Sequence, residues 1–149
     1  MSKRAVVVSA LTGVALLGGT GAYAADAAKV PNPAPRVTKT SNAYIAPTAS
    51  KSGSLTFTAR VTDDSGIRGL RVLAYPDSRK PRPTIKELIK ADAAGCKVKS
   101  AKVSDCKYKR TITRAQAVKA PGTWRIAVLV VAKDGGKTFL PSVSTFKVK

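Results

Sequence analysis

The chain has 149 residues, of which 27 are lysine or arginine, 8 are aspartate or glutamate and none is histidine, so its formal net charge is +19. The lack of histidine removes the usual general base and the commonest metal ligand, which argues against most hydrolytic and metal-dependent enzymes. The few acidic residues stand mostly in turn sequences and do not suggest paired catalytic carboxylates in a cleft. We therefore expect a protein that is not an enzyme and needs no cofactor.

The N-terminus has the three parts of a secretory signal peptide. Lys3 and Arg4 form a basic start, and residues 5–17 form an apolar run. Residues 22–24 (Ala-Tyr-Ala) then place small side chains at the positions that a signal peptidase recognises. We predict cleavage between Ala24 and Ala25. A retained anchor would need about 20 apolar residues, and this run is shorter, so we expect no membrane span in the mature chain.

Cleavage would leave a secreted, extracellular protein of residues 25–149. It removes two basic residues and no acidic residue, which leaves a net charge of +17. Residues 25–35 are rich in Ala and Pro and predict a flexible tether. Residues 36–149 are the length of one domain, which we expect to be a monomer.

The two cysteines, Cys96 and Cys106, are an even pair in a protein that is predicted to be exported. In an oxidising exterior such a pair predicts a disulfide. The alternative is metal or redox chemistry, but two cysteines without histidine make a poor zinc site and the spacing is not Cys-x-x-Cys.

Short strands alternate with turns along the mature chain. The clearest strand covers residues 54–63, where Leu55, Phe57 and Val61 belong to an apolar set that alternates with polar side chains. This period of two indicates one buried and one solvated face. Arg110 falls on the apolar side of another strand, which predicts a bulge or an edge position there. The seven predicted strands, in chain order, cover residues 36–45 (at an edge), 54–63, 67–75, 96–98, 104–113, 123–133 and 138–149.

A short helix is predicted over residues 85–91. Thr84 and Glu87 form a capping-box pattern at its start. A second, weaker capping box at residues 113–116 suggests one further helical turn. The apolar side chains of the first helix, at helical spacing, are Ile85, Leu88 and Ile89.

The strand at residues 123–133 is apolar on both faces, which is typical of a central strand that is covered on both sides. The short helix is its natural cover. Without that cover, Leu73, Leu129 and Val131 would form an exposed patch suited to a protein partner.

These features predict an all-β fold, an immunoglobulin-like Greek-key sandwich of about seven strands with one short inserted helix. Two passages, FTARVTDDSGI at residues 57–67 and GTWRIAV at residues 122–128, resemble those of bacterial immunoglobulin-like or fibronectin type III modules. With the signal peptide and the cysteine pair, the chain is similar to small, uncharacterised exported proteins of actinomycetes. The resemblance implies a fold and no particular activity.

Three aspartates, Asp63, Asp64 and Asp134, are predicted to lie at the same end of such a sandwich. With backbone carbonyls and water, they could hold Ca²⁺. Aspartates are also common turn residues that bond to their own backbone, and we favour this second interpretation.

The charge of the chain attracts polyanions. A polyanion-binding surface could be built from basic residues on the strand faces: Arg60, Arg68, Arg71, Lys107, Lys109, Arg125 and Lys133. Aromatic residues are few and do not interleave with these cations as base-stacking platforms do, so we expect no specific recognition of nucleic acid. A basic surface without a specific partner is the alternative.

We therefore expect a non-enzymatic binding or structural module that associates with anionic cell-wall polymers through distributed positive charge. Two alternatives stay open. One is an interaction module that docks an unknown protein partner through the apolar sheet face. The other is a secreted inhibitor or effector that acts through the loop at residues 76–83.

Overall fold

Two four-stranded antiparallel sheets pack face to face in the computed structural model, which describes residues 32–149. The first sheet has the order β1 (Arg36–Ile45), β2 (Gly53–Thr62), β6 (Val103–Ile112), β5 (Gly95–Ser100). The second has the order β4 (Asp92–Ala93), β3 (Ile67–Pro76), β7 (Gly122–Ala132), β8 (Lys137–Val148). Two helices, α1 (Ile85–Lys90) and α2 (Arg114–Lys119), interrupt the strands.

The strand order agrees with the predicted fold class. The two sheets have the Greek-key order of an immunoglobulin-like sandwich, with the two-residue strand β4 added at the edge of the second sheet. The structure therefore has eight strands where the sequence predicts seven, because β4 is too short to produce an alternation that can be recognised. It also has a second helix, α2, at the weaker of the two capping boxes.

The predicted signal peptide, its cleavage site between Ala24 and Ala25, and most of the tether lie outside the described residues. Within residues 32–149, no helix combines the length and the apolar character that a membrane span requires.

The core lies between the two sheets and is built by the alternation that the sequence displays. Leu55, Phe57 and Val61 of β2 are fully buried, and they share one hydrophobic cluster with Val128 and Val130 of β7. The polar side chains between them point to the outer face of the first sheet. The two faces of β2 thus follow directly from its period of two.

The register decides between the two alternatives predicted for Arg110: it lies at no bulge, but it does lie at a local edge of the sheet, because β5 does not extend that far. It pairs with Leu55 in an unbroken register, and β6 is a central strand. The pairing of β5 with β6 ends at Lys107, so Arg110 stands beyond the end of β5, where a long side chain can reach the rim of the sandwich.

Tyr108 is the largest polar side chain on the inner face of β6. Burial, and the hydrogen bond that its hydroxyl donates to Asp92 at 3.0 Å, raise the pKa of Tyr108 to about 12. The nearby Arg110 guanidinium acts in the opposite direction and lowers this pKa. The phenol therefore stays neutral throughout the physiological range.

Helix α1 begins at the predicted capping box. The Thr84 backbone N–H donates to the Glu87 carboxylate at 2.9 Å, and the Glu87 N–H donates to Thr84 Oγ1 at 3.4 Å. These bonds satisfy backbone donors that the first turn of a helix leaves without partners.

Helix α1 covers the outer face of β7, as predicted, but through one side chain instead of three. Leu88 is fully buried in a small cluster with Tyr75, Ala127 and Leu129. The other two members of the predicted stripe, Ile85 and Ile89, are 46% and 52% exposed. Successive residues are separated by about 100° around a helix axis, so Ile89 turns to the side when Leu88 points at the sheet.

The contrast between Leu88 and Ile89 gives a matched test of this packing. Leu88→Ala should lower the free energy of unfolding by about 2–5 kcal/mol, because it leaves a cavity against Tyr75 and Leu129. Ile89→Ala, on the same helix, should change it by no more than about 0.5 kcal/mol. Urea unfolding followed by circular dichroism measures both. Equal losses for the two variants would contradict the observed orientation of the helix.

Candidate functional site

Six basic side chains stand on or beside the outer surface of the first sheet, which we call the basic face. Strand β1 contributes Lys39 and β2 contributes Arg60, and these two residues are cross-strand partners. Lys107 and Lys109 project from β6 on the same side, because they alternate with the buried Cys106 and Tyr108. The full set is Lys39, Arg60, Lys97, Lys99, Lys107 and Lys109.

One acidic residue, Asp105, lies among these cations. A row of four residues crosses the sheet here, one from each strand: Lys39, Arg60, Asp105 and Lys97. Arg60 donates to both carboxylate oxygens of Asp105, from Nε at 2.7 Å and from Nη2 at 2.9 Å. The basic face therefore keeps a large excess of positive charge.

The cations around Asp105 stabilise its charged form. The hydrogen bond from Arg60 is the main cause that lowers the pKa of Asp105, and the charges of Lys99 and Lys39 lower it further. The carboxylate in turn raises the pKa of Arg60, chiefly through the same hydrogen bond. Asp105 thus stays ionised to lower pH than an isolated aspartate, and Arg60 stays engaged with it.

The disulfide between Cys96 and Cys106 joins β5 to β6 at the centre of this region. The two cysteines are directly opposite each other in the strand register, which places Lys97 opposite Asp105. An edge strand such as β5 is hydrogen-bonded to the sheet on one side only. In the chain-entropy model, a disulfide that closes a loop of about ten residues stabilises the fold by roughly 2–3 kcal/mol. The disulfide thus holds in place the strand that carries Lys97 and Lys99.

A groove of about 570 Å³ lies over the basic face. All four strands of the first sheet line it. Its rims carry Lys39 on one side and Lys97 and Lys99 on the other, while Thr58 and Gly95 contribute to its floor. Lys107 also lines the groove and belongs to the same row as Thr58 and Gly95.

The seven basic residues that the sequence proposes as one polyanion-binding surface do not all lie on the same face of the structure. Arg60, Lys107 and Lys109 share the basic face. Arg71 and Arg125 lie on the outer face of the second sheet, in register with Leu129 and Tyr75.

The four residues of that set that lie off the basic face have other neighbours. Arg71 donates to the carbonyl of Ala91 at 3.1 Å, and Arg125 forms an ion pair with Asp77. Arg68 stands at a register irregularity of β3, and Lys133 follows the end of β7. Neither of these two lines the groove over the first sheet.

Three residues of the basic face were not proposed from the sequence: Lys39, Lys97 and Lys99. A signal for the last two was present, because a disulfide between neighbouring strands sets Cys96 opposite Cys106 and so turns Lys97 toward the same side as Lys107. Lys39 has no comparable signal. Its position depends on a register irregularity between Val37 and Lys39 in the pairing of β1 with β2.

The three candidate calcium ligands are held by other partners. Asp63 Oδ1 accepts from the backbone N–H and the hydroxyl of Ser65, at 2.8 and 2.6 Å, and Asp64 forms an ion pair with Lys102 at 2.6 Å. Asp134 accepts from the Gly136 N–H and from Asn32, both at 2.9 Å, and these bonds lower its pKa. The second oxygen of Asp63 is buried without a hydrogen-bond partner among the described residues.

Asp63 and Asp134 thus accept from backbone N–H groups of their own turns, whereas Asp64 pairs with a lysine. The turn of Asp63 does meet the hairpin of Asp134 at one end of the sandwich, since the Asp134 N–H donates to the Ser65 hydroxyl at 3.2 Å. Across residues 32–149, however, no group of three or more potential ligands among His, Cys, Asp and Glu is close enough to hold a metal ion.

The loop at residues 76–83 is tied to the body of the domain at two points. Asp77 pairs with Arg125 of β7, and Arg79 pairs with Glu87 of helix α1. The pKa values of Asp77 and Glu87 are both lowered: the hydrogen bond from Arg125 is the main cause for Asp77, and the Thr84 backbone N–H is the main cause for Glu87.

Residues 37–130 match the sequence model of DUF5707, a family of unknown function. Neither a curated protein nor a solved structure matches the chain.

Calcium should leave the thermal unfolding midpoint unchanged, because one oxygen of Asp64 and both oxygens of Asp134 already have partners. A site of millimolar affinity would add about 1.4 kcal/mol at tenfold excess of calcium over its dissociation constant, which corresponds to several degrees. The measurement is thermal melting without calcium and at about 10 mM calcium. Sodium chloride of equal ionic strength is the control. A rise specific to calcium would contradict the turn interpretation.

Proposed function

Since the chain belongs to the DUF5707 family of unknown function, we propose its role from its own surface: an exported, non-enzymatic module that associates with anionic polymers of the cell envelope. The basic face is the part of the molecule that binds them. Six cations grouped around one aspartate on a single sheet surface carry this proposal.

The spacing of these cations makes them act together. Neighbouring strands are about 4.8 Å apart, and side chains on one face of a strand repeat every 6.6–6.8 Å or so. Both distances are shorter than the Debye length of about 8 Å at physiological ionic strength. The fields of adjacent lysines therefore add, and a polyanion meets a continuous positive surface instead of isolated charges.

Export is the second element of the proposal. The signal peptide predicted at the N-terminus directs the chain out of the cell, and a disulfide-bonded domain is compatible with an oxidising exterior. The strand order is that of an immunoglobulin-like sandwich, which is the fold expected from the resemblance to exported bacterial modules. In that setting, the available polyanions are those of the wall and the medium.

Two observations favour binding over the alternatives. The chain contains no histidine, and all seven acidic residues in the described part of the chain accept hydrogen bonds from other groups of the protein, which leaves little basis for acid–base catalysis. The apolar sheet face with Leu129 is covered by Leu88 of helix α1, which weakens the case for a protein partner at that face.

Retention on purified cell wall across a salt series tests the proposal. A quadruple variant, Lys97→Gln, Lys99→Gln, Lys107→Gln and Lys109→Gln, removes four charges from the basic face. The matched control, Lys86→Gln, Lys90→Gln, Lys119→Gln and Lys147→Gln, removes four exposed charges elsewhere on the domain. Both variants have the same net charge, so only the position of the lost charges differs.

The wild-type protein should elute at the highest salt and the basic-face variant at clearly lower salt than the control. By analogy with phosphate polymers, each lost ion contact should reduce the slope of log affinity against log salt by roughly 0.7–0.9. The proposal fails if both variants elute at the same salt concentration, or if the wild-type protein is not retained at low salt.

A further inference from the structure

The groups that the basic face can offer to a ligand are mostly ammonium ions. The one guanidinium in the groove, that of Arg60, already donates through two nitrogens to both oxygens of Asp105. The guanidinium fork, which could bind a carboxylate or a phosphate in bidentate fashion, is therefore already occupied. The ion pairs found among residues 32–149 involve none of the five lysines of this face.

Lysine ammonium groups act as point charges that suit the tetrahedral phosphate group, whose oxygens accept hydrogen bonds from many directions. The exposed Ser41 and Thr58 hydroxyls also line the groove and can donate to the same oxygens. No aromatic side chain lines it, so a base would find no stacking partner there.

Four of the lysines form a track along the seam between β6 and β5. Lys109 and Lys107 follow one another on β6. Lys97 and Lys99 continue the line on β5. Gly95 is the cross-strand partner of Lys107, and Lys97 is the cross-strand partner of Asp105, the next outward-facing residue of β6. Lys109, Lys107 and Lys97 occupy three successive rows, and Lys99 follows at the register irregularity between Val98 and Ser100. With about 6.6–6.8 Å between rows, the backbone positions span roughly 20 Å along the strands.

Gly95 keeps the middle of this track open. It stands beside Lys107 in the register, and a Cβ atom built at this position would meet only the Lys107 carbonyl oxygen, at 3.8 Å. A larger side chain here would therefore project over the floor of the groove without disturbing the backbone.

We propose that the basic face binds a phosphodiester polymer without aromatic groups, one strand of which lies along the lysine track and over Gly95. This inference rests on the proposed function and names the chemical class of its ligand. The lysines contact successive phosphates, and the hydroxyl groups at the groove floor contact the phosphates or the spacer between them.

Binding of two probes to the full mature protein tests the chemical class. The probes are poly(glycerol phosphate) and polygalacturonate with the same number of charges, measured by isothermal titration at several salt concentrations. The phosphodiester probe should bind at least ten times more tightly. Equal or tighter binding of polygalacturonate would overturn this inference and leave the proposed function intact, whereas failure of both probes to bind would overturn both.

An oligothymidylate with the same number of phosphates completes the series. Affinity no higher than that of poly(glycerol phosphate) is expected, because the groove lacks stacking partners. Clearly tighter binding would show that single-stranded nucleic acid is the better ligand and would overturn the inference.

A glycine substitution tests the position of the strand without changing any charge. Gly95→Leu should reduce the affinity for poly(glycerol phosphate) about tenfold, while the salt dependence stays that of the wild-type protein. The matched control is Gly69→Leu on the second sheet, where an added Cβ meets no atom within 4 Å. Equal affinity of the two variants would contradict a strand that lies over Gly95, and circular dichroism establishes that both are folded.

Discussion

The register between β2 and β6 is the constraint on which the rest of this structure depends. The two strands pair without interruption from Gly53 opposite Ile112 to Thr62 opposite Val103. Because side chains alternate between the two faces, this single register sends Phe57 into the core and Lys107 to the surface. A slip by one residue would exchange the two sets, placing lysines in the core and aromatic rings in water. The hydrophobic core and the basic face are therefore two consequences of the same pairing.

The disulfide extends this register to the edge of the sheet. Cys106 is on the buried side of β6, and its bond to Cys96 fixes which residues of β5 turn outward. Lys97 then completes the row that begins with Lys39 on the opposite edge. The predicted export of the chain and the position of its surface charge are thus connected, because the bond that orders β5 forms in an oxidising compartment.

The sequence was sufficient where a physical pattern lies within one strand or one turn. Alternation located β2 and the two faces of β6, and the capping box located the start of α1. It was insufficient where an outcome depends on how separate elements meet. Arg71 has the same local pattern as Arg60, yet the sheet order places them on opposite outer surfaces. The exposure of Ile89 follows from the orientation of α1 on the sheet. The position of Lys39 on the basic face follows from an irregular register between β1 and β2.

The most direct test of the central claim, that binding belongs to one sheet surface, is a map of backbone amide shifts during titration with poly(glycerol phosphate). We predict that the shifted resonances cluster in β1, β2, β5 and β6, with the largest changes around Gly95, Lys97 and Lys107. The amide resonances of α1 and β8, which belong to the side of the second sheet, should not shift. Shifts spread evenly over all basic residues, or concentrated at α1, would contradict the account.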